Sequence, residues 1–309
     1  MKVNILMSTY NGERFLAQQL DSIIEQNYKD WTLLIRDDGS SDRTPEIIAD
    51  YAQKDPRIVF INPDQRDNLG VIKNFYTLLK YQEADFYFFC DQDDVWLPEK
   101  LELQLEKLLS DSPSIPKMVY MDLKVVDANL NVISDSMIKG QSHHANTQLI
   151  QELTENTVTG GVSGINHALA KLWQTTDKII MHDWYLALLA TAFGKLVYID
   201  KPGELYRQHD NNVLGARTLS KRFKKWLHPH LLFNKYWELI KASQKQASLL
   251  LKLPISDADR SCIEAFVNIL DEPFRERFYL LKKYRLRKNK KFHTIVFLTL
   301  IVTKFAYKE

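Results

Sequence analysis

In the first hundred residues, apolar runs of strand length alternate with helical patterns, and three of the runs end in small polar and acidic residues. Val3–Met7 ends in Ser8-Thr9-Tyr10-Asn11-Gly12, and Phe15, Leu16, Leu20, Ile23 and Ile24 then recur at helical spacing. Trp31–Ile35 ends in Asp37-Asp38-Gly39-Ser40-Ser41. Ser41-Asp42 before Thr44-Pro45 reads as a helix start, continued by Ile47, Ile48 and Tyr51. Arg57–Ile61 is a third strand, followed by a helix carrying Phe75, Leu78 and Leu79. Phe86–Phe89 is wholly apolar, hence central, and leads into Asp91-Gln92-Asp93-Asp94. Strands alternating with helices predict an α/β chain with a parallel sheet covered on both faces. Ligands of such sheets bind beyond the carboxyl ends of the strands, which here aim five carboxylates at one crevice.

Like charges gathered this closely raise one another's pKa unless something positive sits among them. A divalent cation held by oxygen ligands answers that need economically. Acidic residues after strands also cap helices, and that is the reading for Asp42. An EF-hand does not fit, because Val95 and Trp96 occupy positions that need a ligand and a glycine. A glycosidase carboxylate pair would not explain acids at successive strand ends. GxxxxGK[ST] and GxGxxG are both absent, which weakens an ATPase or dinucleotide reading.

Farther along, Met118–Val126 and Lys195–Ile199 read as strands, Val132–Asn146 as a polar loop, and Trp184–Phe193 as a helix. Gly160-Gly161 and Lys201-Pro202-Gly203 read as turns. From Ser220 the pattern becomes helical (Phe223, Trp226, Leu227, Leu232, Tyr236, Leu239, Ile240), with Pro229 as an interruption. Charge divides at the same place. Residues 220–309 hold 20 Lys/Arg against 8 Asp/Glu, whereas residues 1–219 hold 21 against 31. Two units are expected, an acidic body over 1–219 and a basic helical extension over 220–309. With two cysteines, Cys90 and Cys262, no disulfide framework is available, and the apolar run before Ser8 is too short for a signal-peptide core. A cytoplasmic location is expected.

Three segments carry a resemblance: Met7-Ser8-Thr9-Tyr10-Asn11-Gly12, Arg36-Asp37-Asp38-Gly39-Ser40-Ser41-Asp42, and Asp91-Gln92-Asp93-Asp94-Val95-Trp96-Leu97-Pro98-Glu99-Lys100-Leu101. In order and spacing they resemble the signatures of family 2 glycosyltransferases of the GT-A fold, a mixed sheet flanked by helices. Asn68-Leu69-Gly70, Thr159-Gly160-Gly161, His182-Asp183-Trp184 and Tyr206-Arg207-Gln208-His209-Asp210-Asn211-Asn212 resemble its bacterial rhamnosyltransferase branch, nearest the streptococcal enzymes of rhamnose-rich cell-wall polysaccharide.

The resemblance implies roles. Ser8 and Tyr10 would hold the nucleotide base and ribose, Asp38 would accept the N3–H of a pyrimidine, and Asp91 would reach the ribose. Asp93 would coordinate Mg²⁺ or Mn²⁺, with His209 as a second ligand or a structural histidine. Arg207 would pair with the diphosphate. Asp183 would be the catalytic base of an inverting transfer while also capping the next helix. Asp94, Gly160, Gly161 and Trp184 would position donor or acceptor, although an ordinary turn also explains the glycines. The activity implied is transfer of L-rhamnose from a dTDP-sugar donor to a polyprenyl-diphosphate-linked saccharide. The alternatives are a UDP-hexose donor, or a non-catalytic membrane-bound scaffold that keeps the fold.

Between Arg275 and His293 there are nine Lys/Arg and one acid, followed by the apolar run Thr294–Thr303. As a helix that run is about 15 Å long, half the hydrocarbon thickness of a bilayer. It reads as an interfacial anchor on an anionic membrane surface, placing the enzyme peripherally at the inner face of the membrane. A buried helix at a homodimer interface is the alternative. Nucleic acid is not an expected partner, because no nucleic-acid-binding module accompanies the charge.

Overall fold

The computed structural model describes residues 1–65, 67–209 and 229–307, the side chains of 229–232 excepted. The expected boundary at Ser220, the residues Phe223, Trp226 and Leu227, and Asp210-Asn211-Asn212 lie outside the described residues. The expected strands and helices of the first hundred residues form close to where the periodicity puts them. They are β1 (Val3–Thr9), α1 (Leu16–Ile24), β2 (Thr32–Asp37), α2 (Thr44–Lys54), β3 (Ile58–Phe60), α3 (Val71–Tyr81) and β4 (Phe86–Cys90). They are followed by β5 (Val95–Trp96), α4 (Lys100–Leu109), β6 (Lys117–Val126), β7 (Val132–Ser134), α5 (Leu149–Glu152), β8 (Ser163–Asn166), α6 (His167–Ala170), α7 (His182–Phe193) and β9 (Lys195–Arg207).

The sheet runs β3-β2-β1-β4-β8-β6-β9-β5, with β7 paired to β6. β1, β2, β3 and β4 are parallel. The sheet is mixed, because β8 runs antiparallel between β4 and β6, and β5 antiparallel to β9. β9 also departs from the expected turn at Lys201-Pro202-Gly203 by continuing through it. The register with β6 shifts around Asp122 and Pro202. A bulge there absorbs the residue that has no N–H to donate, and the strand goes on to Arg207. That continuation carries Glu204, Arg207 and the following His209 back to the acidic end of β4.

Beyond the sheet lie α8 (Pro229–Ser248), α9 (Asp257–Asn268), α10 (Phe274–Lys283) and α11 (Lys291–Thr303). Pro229 is the first described residue of α8, so the expected interruption of the helical pattern there lies at the edge of the described residues. These helices share a core with the sheet. One apolar cluster runs from Phe89 and Tyr120 through Leu186 and Leu189 of α7 to Trp237, Ile263, Phe266, Phe297 and Ile301. α7 is buried almost all round because it has the sheet on one side and this layer on the other. Arg277 of α10 closes the end of α11, donating from Nη2 and Nε to the Val302 carbonyl at 2.7 and 3.1 Å.

The run Thr294–Thr303 is divided between the protein interior and its surface. Phe297, Leu300 and Ile301 are each no more than 1% exposed and pack inside the protein. What faces outward on these helices is Phe274, Phe278 and Tyr279 of α10 and Phe292 and Ile295 of α11. Phe297→Ala is expected to lower unfolding free energy by about 3–5 kcal/mol, the usual cost of emptying a large core site. Phe278→Ala, at 60% exposure, is expected to change it by about 0.5 kcal/mol or less. Urea titration of the two variants checks this. Equal, small effects would mean that α11 does not belong to the core. No helix among the described residues is long and apolar enough to cross a membrane.

Candidate active site

At the end of β2, Asp37 is fully buried and structural: it accepts the backbone N–H of Ser40 at 2.9 Å and the hydroxyl of Thr9 at 3.1 Å. Asp38 ion-pairs with Arg36 at 2.9 Å and receives the N–H groups of Leu69 and Gly70 at 2.7 and 2.9 Å. Asp38 thus fastens the Asn68-Leu69-Gly70 loop, and its Oδ2, which among the described residues takes only the Gly70 N–H, keeps capacity for one more donor. Ser8 accepts from Asn74 at 2.7 Å. Tyr10 is exposed, its backbone clasped by the Gln92 amide at 2.8 and 2.9 Å. Asp42 accepts the N–H of Thr44 at 3.0 Å at the start of α2, as a capping residue does.

The end of β4 meets the end of β9. Asp93 Oδ2 lies 2.7 Å from His209 Nε2. Asp94 is buried and accepts the backbone N–H of Arg207 at 2.8 Å. Arg207 donates to the Asp93 carbonyl at 2.8 Å, the Ala128 carbonyl at 2.7 Å and Gln18 Oε1 at 2.6 Å, and lies over the Phe15 ring. These bonds make Arg207 a brace between β9 and the acidic turn. Burial, then Asp93 and Glu204, raise the Asp91 carboxyl to about 8. Burial and the same acidic neighbours push Asp94 well above the usual carboxylate range.

Two residues not singled out by the sequence underlie this cluster. Lys100 and Glu204 form an ion pair at 3.2 Å with both side chains fully buried. The Lys100 ammonium also donates to the Gly161 carbonyl and lies 3.5 Å from the centre of the Trp96 ring. Gly161 is where the backbone comes closest: a Cβ there would sit 2.9 Å from Glu204 and 3.1 Å from Asp91. Lys100 thus brings a positive charge under a ring of acids and fixes the loop that faces them. Removing one member of such a pair leaves the other charge buried and uncompensated.

On the other wall, Asp183 stands in the first turn of α7 and is buried. It receives the N–H of Trp184 at 2.6 Å and that of Gly160. Burial outweighs these bonds and raises its carboxyl to about 7. His182 is buried against Phe75 and Phe89, and burial lowers its pKa to about 3, so it is a neutral packing residue. Gly160 fits beside it: a Cβ there would be 3.0 Å from His182 Nε2. Trp184 is buried, and its indole N–H donates to the Glu152 carbonyl at 2.7 Å. It anchors α7 to α5 and so acts on Asp183 through the helix.

The fold and the site together define a glycosyltransferase, with an acid-lined crevice at the carboxyl end of a mixed sheet and an isolated carboxyl group across it. The glycosyl transferase family 2 profile matches residues 4–170, and the chain belongs to that family. It is 30% identical over 244 residues to the dTDP-rhamnosyl transferase RfbG of Shigella flexneri, covering 75% of this chain and 80% of that one. It is 32% identical over 127 residues to an Escherichia coli protein, the UDP-Glc:alpha-D-GlcNAc-diphosphoundecaprenol beta-1,3-glucosyltransferase WfgD, covering 41% of this chain and 47% of that one. The fold resembles S. aureus TarS in complex with UDP-GlcNAc, with a TM-score of 0.58 at 18% identity over 92% of this chain and 80% of that one. It also resembles the Pyrobaculum calidifontis mannosyltransferase PcManGT in complex with GDP-Man and Mn2+, with a TM-score of 0.55 at 14% identity over 92% of this chain and 72% of that one.

Proposed function

We propose that the protein is an inverting, divalent-cation-dependent rhamnosyltransferase. Its donor is dTDP-β-L-rhamnose and its acceptor a polyprenyl-diphosphate-linked saccharide, to which it adds an α-linked rhamnose, at O3 by resemblance, in cell-wall polysaccharide synthesis. The observation that carries the reading is Asp183, a buried carboxyl group with its pKa raised to about 7, facing the acidic end of β4. A base poised near neutral pH suits proton removal from a sugar hydroxyl. The similarity to RfbG supports rhamnose as the sugar. The diphosphoundecaprenol in the name of WfgD supports the lipid-linked acceptor.

The nucleotide lies across the ends of β1 and β2, its base against Tyr10 and Ser8, with the remaining acceptor capacity of Asp38 available to a pyrimidine N3–H. Asp91 takes the ribose. The residues at the end of β4 fit a divalent cation: Asp93 and His209 offer an oxygen and a nitrogen 2.7 Å apart, and burial, then the neighbouring acids, raise Asp91 and Asp94 beside them. Among the described residues no three candidate ligands converge on one point. When bound, the cation neutralises charge on the departing diphosphate. Asp183 takes the proton of the acceptor hydroxyl as its oxygen attacks the anomeric carbon from the face opposite the leaving group. Trp184 and Gly160 hold that carboxylate in place. Arg207 and Lys100 hold the acidic turn and the Gly161 loop.

A second reading has a specific observation behind it, since WfgD is named for a UDP-Glc donor and TarS was crystallised with UDP-GlcNAc. Incubation with dTDP-rhamnose, UDP-glucose and UDP-N-acetylglucosamine, a synthetic lipid-linked acceptor and Mn²⁺ or Mg²⁺ separates the two. Transfer from dTDP-rhamnose at least about tenfold faster than from either UDP-sugar is expected. The reverse order would replace the donor, and no transfer or donor hydrolysis with any of them would favour a scaffold.

A further inference from the structure

The turn joining α10 to α11 forms one wall of a second cleft of about 600 Å³, lined also by His144, Gln148 and the edge of α5. Arg285, Arg287, Lys288 and Lys291 all line it, and no acidic residue does. Lys288 is committed to the Thr154 carbonyl. The head groups of Arg285, Arg287 and Lys291 have no partner among the described residues. α11 begins here without a side-chain cap, so the positive end of its dipole points the same way. Arg285 holds φ of +52°, in the left-handed region that non-glycine residues seldom occupy.

The cleft is stitched to the catalytic wall. Thr154 donates to the Arg287 carbonyl at 2.7 Å, and the Asn289 N–H donates to Glu155 at 2.7 Å. Two residues before Thr154, the Glu152 carbonyl holds Trp184, the neighbour of Asp183. The rim is apolar: Ile150 and Ile295 line it, Ile295 is 63% exposed, and Phe292 next to Lys291 is 61% exposed. A cleft lined by exposed cations beside exposed apolar residues has the chemistry of an anionic head group joined to a hydrocarbon chain.

We propose that this cleft binds the diphosphate of a polyprenyl-diphosphate acceptor, with Arg285, Arg287 and Lys291 on the phosphates and Ile295 and Phe292 along the first isoprene units. The proposal rests on the lipid-linked acceptor of the preceding section and assigns the group that holds it. The acceptor saccharide would then extend toward Asp183. Guanidinium and ammonium groups are suited to phosphate oxygens.

The test uses the full chain in EDTA, which removes the divalent cation the donor site needs for diphosphate. Inorganic pyrophosphate and farnesyl diphosphate are titrated by calorimetry into wild type, Arg287→Ala/Lys291→Ala and Ile295→Ser. Wild type is expected to bind both, farnesyl diphosphate more tightly. The double variant is expected to lose about 10-fold or more for both, since even exposed charge pairs contribute up to about 1 kcal/mol each. Ile295→Ser is expected to lose only the preference for the farnesyl compound. No wild-type binding at millimolar concentration, or equal binding by the double variant, overturns the site. Equal wild-type affinity for the two probes overturns the lipid assignment. Binding of dTDP with Mn²⁺ should be unchanged in all three proteins, which shows that the variants are folded. That control, with donor hydrolysis, reads the donor site separately, so failure of the cleft is distinct from failure of the proposed activity.

Discussion

Asp93→Asn is expected to lower turnover by about 10³-fold or more and to abolish the metal dependence of nucleotide binding. The substitution keeps the volume of the side chain and its capacity to accept from His209 Nε2, now at 2.7 Å, so the fold should tolerate it. What it removes is the negative charge on the proposed metal ligand. A cation at the departing diphosphate contributes several kcal/mol of transition-state stabilisation, and each 1.36 kcal/mol is about tenfold in rate. Steady-state kinetics over a Mn²⁺ titration, with dTDP binding measured in parallel, reads both effects. Unchanged turnover at saturating Mn²⁺ would sink the assignment and move the ligand to Asp91 or Asp94.

Asp183→Asn is expected to lower kcat by about 10²–10⁴-fold with the donor KM nearly unchanged, the range usual for loss of a general base. An amide oxygen can still accept the N–H groups of Trp184 and Gly160, so the loop and the start of α7 should hold. The pH profile is the sharper readout. Burial favours the neutral acid, so the Asp183 carboxyl is protonated below about 7 and ionised above it. A base works only when ionised, so wild-type kcat should rise with pH through about 7. In the variant that limb should vanish. Collapse of donor affinity with chemistry preserved would make Asp183 a binding residue.

The parts of the site that lie at strand ends were legible, because a strand end is local. An apolar run followed by Asp37-Asp38 or Asp91-Gln92-Asp93-Asp94 names its own position. The parts made by distant pairing were not. β5 is two residues long and β8 four, too short for alternation to register. β9 hides its second half behind Lys201-Pro202-Gly203, a true breaker signal that a bulge overrides. Glu204 looks like an ordinary exposed acid until β9 is extended; the only hint was an acid flanked by strand-formers downstream of a turn. The bracing of the Asp93 and Ala128 carbonyls by the Arg207 guanidinium was not legible either, because it too joins residues far apart in the chain. In the extension, apolar content alone could not tell a helix facing lipid from one facing protein. Both are rich in Leu, Ile and Phe, and only the packing of Phe297 and Ile301 separates them.

The bonds that assemble the crevice join very distant parts of the chain: Lys100 to Glu204 across 104 positions, Asp93 to His209 across 116, Gln18 to Arg207 across 189. A chain growing from its amino end can complete β1 to β4 early, and with them the proposed nucleotide surface. It cannot complete the acidic end until β9 has been made and threaded against β6. Contacts this far apart form late, because loop closure must come before any gain from them. A half-made chain would therefore carry the proposed nucleotide surface without the completed acidic end. On the proposed roles, the acidic end of the crevice is finished by the same strand that finishes the sheet.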